Sequence, residues 1–264
     1  MRNLTASDKS ALIKLASSLP VGDESRRAIL AGLTKSASDD VNIPGKHILG
    51  RAKVSGNAVV SGNAVVDIDV HVYGNAKVTG FANVFDNAQV YGNAQLSGFV
   101  RVYGFAEVSD DAQVSGGAEV SGSAQVSGVA QVFGNAKVFG NAKVYNNAII
   151  SDKAQVYGKA KVYDHARVFG NAHVSGDADV SDDAQVFGDA LVYGNAQVSG
   201  FAKVAGDAQM FGNALVFGDA KVLGDAKVFG KAIIGGTAVI LGGKWDGSEG
   251  GILEGRWKAP GVPA

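Results

Sequence analysis

A chain of 264 residues with 46% hydrophobic and 19% charged side chains, a formal net charge of −1, 37 Gly, 4 Pro and no Cys is composed for folding, not disorder. Absence of cysteine excludes a disulfide framework, an Fe–S cluster, a thiolate zinc site and a cysteine nucleophile. The near-neutral charge gives no field to attract nucleic acid or an anionic membrane. No secretion signal or run of about 18 apolar residues is present either, so neither partner is expected and the chain is placed in the cytoplasm.

Residues 1–34 read as a helical hairpin. Thr5 or Ser7 caps a first helix, Leu12, Leu15, Ala16 and Leu19 form its apolar stripe, and Pro20 stops it. A second helix runs from about Asp23 to Leu33, with Ala28, Ile29, Leu30 and Leu33 apolar. Such a hairpin covers the open end of a repeat array, supports trimerisation, or docks a protein partner through residues 5–33. A polar linker, residues 35–47, follows.

From Ile48 to 245 the chain keeps a six-residue period without one insertion, giving thirty-three hexads. Val54, Val60, Val72, Val78 and Val84 are followed four residues later by a small residue, almost always Ala in this column, as in Ala76, Ala82 and Ala88. Two residues after each aliphatic stands Gly, Asp or Asn, as in Gly74, Asp86, Gly92, Asp110 and Asn146, with one exception at Ile68. These residue types tolerate positive φ, so each hexad is predicted to be a short strand closed by a left-handed corner. Units this small bury their apolar side only by stacking on identical coils, which predicts an all-β solenoid, a parallel β-helix with three hexads per coil. Thirty-three hexads then make 11 coils of 18 residues, rising about 4.8 Å per coil.

All 7 Tyr and 12 Phe fall in two columns, directly after the aliphatic or at the corner. Strand alternation turns the first of these columns outward, so rings should stack from coil to coil or pack against other subunits. In the hexad that lacks the turn residue, Val66-Asp-Ile-Asp-Val-His71, the turn is expected to widen or stay extended. Asp67, Asp69 and His71 then form a row on one side of a strand, a pattern suited to a divalent metal or to His71 as a general base. Residues 246–264 read as a carboxy-terminal cap, with Trp245 and Trp257 as a lid over the last coil.

Val72-Tyr-Gly-Asn-Ala-Lys77 and Val138-Phe-Gly-Asn-Ala-Lys143 resemble the repeats of left-handed hexapeptide β-helix proteins, the superfamily that contains the hexapeptide acyltransferases. The resemblance covers about three-quarters of the chain and implies a left-handed, three-sided helix of about 11 triangular coils and a homotrimer. One departure is that Gly commonly follows the aliphatic directly in that superfamily, whereas here the place is aromatic or Ser. Lys9-Ser-Ala-Leu-Ile-Lys-Leu-Ala16 is similar to short amino-terminal helices of bacteriophage-encoded proteins. An acyltransferase would take acetyl-CoA or another acyl-CoA, use His71 as catalytic base, and contact the cofactor's phosphates through Lys244, Arg256 and Lys258. It would also carry an extruded loop, which these hexads lack. The sequence therefore favours a non-enzymatic rod that presents its faces or its hairpin to a partner, with no cofactor expected.

Overall fold

The computed structural model describes residues 47–260 and 262–263. The hairpin expected over 1–34, and the linker as far as 46, lie outside the described residues. Every regular element among those described is a strand, numbered in chain order from β1 (His47–Ile48) to β37 (Val262–Pro263). Nearly all are two residues long, and strands three apart in sequence pair in parallel. They build three sheets of 12, 12 and 13 strands, here the first, second and third faces of a parallel β-solenoid.

The register follows the hexad arithmetic. In the first face Arg101 pairs with Glu119 and Val102 with Val120, and in the second Glu107 pairs with Gln125, so residues 18 apart are axial neighbours. Hydrogen bonding continues around the corners, as where the Asn75 N–H donates to Gly92 O at 2.7 Å. Strand and corner are thus laddered together, which is why segments of two residues persist as strands.

Each coil sends three aliphatic and three small side chains inward. Val72, Ala76, Val78 and Ala82 have 0% exposure, and the column continues to Ile234 and Ile240. The left-handed turns fall on the Gly, Asp and Asn column, including Gly74 (φ 74), Asp110 (φ 57) and Asn146 (φ 57). A Cβ on Gly74 would stand 2.9 Å from the Gly92 carbonyl oxygen of the next coil, so both backbone sign and close stacking favour glycine there.

Two differences from expectation follow from the same geometry. The hexad at Ile68 neither widens nor extends: it keeps its turn and moves the positive φ one residue on, to Asp69 (φ 60). The Asp67 carboxylate accepts the Ile68 N–H at 2.7 Å and supports this displaced corner. At the far end, ladder pairing continues beyond 245. Trp245 in β34 (Lys244–Trp245) pairs with Val228, Ile252 in β35 (Gly251–Ile252) with Ile234, and Trp257 in β36 (Arg256–Ala259) with Ile240. Two of these steps are one residue short of 18, and Gly243 (φ 79) takes the left-handed role that the period assigns to Gly242. Trp245, Ile252 and Trp257 thereby form one more inward layer, and the two indoles close the end as expected of a lid. β37 then folds back antiparallel on β36, setting Pro263, which has no N–H to donate, opposite Trp257.

Candidate functional site

The solenoid offers function only its outer surface, because its interior is filled by Val and Ala. Along the edges the rings stack as the columns predict. Phe85 lies on Tyr103 at 4.8 Å between centroids, Tyr73 on Tyr91 at 4.9 Å, and Tyr193, Phe211 and Phe229 form a continuous run of three. Coil spacing sets this separation and the common backbone orientation keeps the rings parallel, each pair adding about 0.5–1.5 kcal/mol beyond area burial. Several serines that interrupt a column are buried, as at Ser121 between Tyr103 and Phe139, whereas Ser127, Ser175 and Ser199 are partly exposed. The Tyr103 hydroxyl reaches forward to donate to Glu119, and that bond is the largest cause holding the phenol above its ordinary pKa.

Polar ladders occupy other edges. Asn57 donates to Asn75, Asn75 to Asn93 and Asn93 to Asp111, at 3.1, 2.9 and 2.9 Å. In the turn column the Asp110, Asp152 and Asp182 carboxylates accept the N–H of Gly128, Gly170 and Gly200 in the following coil, at 3.0, 3.0 and 2.8 Å. That turn N–H points outside the backbone ladder, so each aspartate both adopts the left-handed conformation and satisfies a neighbour. Asn or Asp recurring every 18 residues is the sequence signal for the first device, and Asp followed by Gly 18 residues later is the signal for the second.

The Asp67, Asp69 and His71 row is divided around one corner. Asp67 supports the turn, Asp69 sits on it and accepts from Arg51 at 2.8 Å, and His71 is in the outward strand position of the second face. Among the described residues no group of three or more His, Cys, Asp or Glu is placed to hold a metal. His165 stands on a corner and His173 on the first face, edge-on to Tyr157 at 6.2 Å. Lys244 lies on the outer side of the first face, whereas Arg256 and Lys258 lie on a strand of the third, so the three bases belong to two different sheets.

One surface combines features that the columns taken singly do not reveal. Phe99 and Phe105 occupy the two corners bounding the strand Arg101–Val102 of the first face, each 66% exposed, and Phe81, 49% exposed, stacks on Phe99 at 5.0 Å. Between them the Arg101 guanidinium lies 5.8 Å from the Phe85 ring centroid and 5.5 Å from that of Tyr103, and 3.7 Å from the Glu119 carboxylate. Exposed phenylalanines around an arginine held by rings and a carboxylate have the composition of a protein-binding patch. Sequence reading found the rings but missed their grouping, which needs the three-coil register.

Fold and surface together define a β-solenoid repeat protein. Residues 52–67, 160–178 and 184–200 match the family model described as YdcK Beta solenoid repeat. No curated protein matches the chain. Among the described residues no helix is long and apolar enough to cross a membrane.

Proposed function

We propose that the chain is a non-enzymatic β-helical rod, assembled as a homotrimer, that presents its first face to a protein partner. The observation that carries this reading is the patch of Phe81, Phe99, Phe105 and Arg101 on a scaffold whose repeat no loop interrupts. Binding and chemistry usually sit on loops that break a scaffold, so an unbroken repeat favours use of the faces themselves. Three-fold association would bury aromatic area that otherwise costs about 25 cal/mol per Å² in water. The amino-terminal segment 5–33 is a second contact of the same kind.

Sedimentation equilibrium of the full chain tests the assembly. A trimer is expected, and Phe81→Ser/Phe99→Ser/Phe105→Ser should dissociate it or abolish partner binding while leaving the solenoid folded, with circular dichroism as the check. A wild-type monomer whose patch can be rewritten without effect on any association would overturn the reading. Calorimetric titration with acetyl-CoA separates it from acyl transfer. No saturable heat is expected, and micromolar binding would instead favour an acyltransferase with His71 as base and Lys244, Arg256 and Lys258 as phosphate contacts.

A further inference from the structure

The geometry points to a binding site for a small organic ammonium ion, of the quaternary or tertiary class, in the cleft at the carboxy-terminal mouth of the solenoid. The cleft, of about 490 Å³, is lined by Trp245, Glu249, Ile252, Leu253, Glu254 and Trp257. Its volume is in the range of small-molecule sites. Trp245, 1% exposed, is almost wholly covered, and the half-buried Trp257 is the wall that a ligand meets. Their ring centroids are 6.5 Å apart and their planes meet at 71°, an edge-on contact by which the buried indole braces the exposed one.

Both rings are fixed by their own N–H groups. Trp245 Nε1 donates to Gly242 O at 2.7 Å and Trp257 Nε1 donates to Glu254 O at 3.0 Å. The indole donors are therefore spent; Trp245 is covered, and what the half-buried Trp257 offers a ligand is the exposed part of its negative π-face. Glu249 and Glu254 add two carboxylates to the rim, and neither is in an ion pair among the described residues. An apolar corner of indole, Ile252 and Leu253 with anionic charge at its mouth repels anions and gives a neutral apolar ligand no use of the charge. A cation with methyl groups uses both, since cation–π attraction favours Trp and carboxylates supply the long-range field. Metal ions and simple ammonium are disfavoured, because they keep a hydration shell that an apolar wall cannot replace. The site lies apart from the Phe81–Phe105 patch.

Trp245 and Trp257 are the only two Trp in the chain, so Trp emission, excited at wavelengths where its Tyr do not absorb, reports on this cleft alone. The full-length protein is titrated with tetramethylammonium chloride and with choline, against NaCl at matched ionic strength and against 3,3-dimethyl-1-butanol, the uncharged isostere of choline. The expected result is a saturable change in Trp emission with the two cations only, weakened about tenfold in Glu249→Gln/Glu254→Gln. Both glutamates are exposed, so that variant leaves the fold intact, with circular dichroism as the check. Absence of a saturable change, an equal response to the uncharged isostere, or unaltered binding in the double variant each overturns the proposal.

Discussion

At the scale of single residues, the turn column explains why aspartate and glycine interchange there while alanine is missing from it. Asp110 accepts the Gly128 N–H and so offsets the left-handed backbone it adopts, whereas alanine would carry the strain with no bond in return. Asp110→Gly should leave stability nearly unchanged, and Asp110→Ala should lower it by about 1–2 kcal/mol, as read by denaturant unfolding. Equal effects from the two would remove the turn N–H from the argument. A second residue-level prediction concerns Tyr103, whose pKa is raised by its bond to Glu119 and by burial. The folded state holds the proton more tightly than the unfolded chain, so this stabilisation is complete below about pH 10 and is lost as pH rises through the raised value. Tyr103→Phe should therefore cost about 0.5–1.5 kcal/mol at neutral pH, a gap that closes in alkaline solution. A gap that widened with alkalinity would contradict the assignment.

At the scale of elements, the coil is the unit and its ends are the special cases. Trp245, Ile252 and Trp257 fill the final layer, so Trp245→Ala should cost about 3–5 kcal/mol locally. Since each coil touches only its neighbours, the loss should appear as faster hydrogen exchange in residues 228–257, with the central coils still protected. Uniform loss of protection would show that the coils do not act in this nearest-neighbour way. The hexads were legible in sequence because one column of Val, one of Ala and one of Gly, Asp or Asn each answer a separate physical demand: burial, close approach and positive φ. Ile68 was legible as an exception but not in its outcome. Asp69 could take the left-handed position and Asp67 could bond the Ile68 N–H, so the corner survived by moving one residue. The shortened step before Trp245 was hidden for the opposite reason, since the six-residue count still lands an apolar residue near the expected place. Of the candidate surfaces, the ring columns could be read directly. The grouping of Arg101 with Phe85, Tyr103 and Glu119 could not, because its contacts with Phe85 and Glu119 join residues 16 and 18 apart across coils.

At the scale of the whole molecule, an interior of identical layers separates scaffold from function: length depends on the number of coils, while recognition depends on which outward residues a few of them carry. The first-face patch occupies residues 81–105 and the indole cleft residues 245–257, leaving the coils between them as spacer. Deleting residues 120–137 removes one complete coil and joins Glu119 to Val138 in phase. Tyr103 then meets Phe139 directly, an extended stack of the kind that Tyr193, Phe211 and Phe229 already form. The most direct test is thermal unfolding and small-angle scattering of this deletion beside the full chain. The account predicts cooperative unfolding, an unchanged number of chains per particle and a rod shorter by about 4.8 Å. Loss of cooperative unfolding, or collapse of the rod into a shape unrelated to its parent, would contradict the claim that the coils are equivalent units carrying function only on their surface.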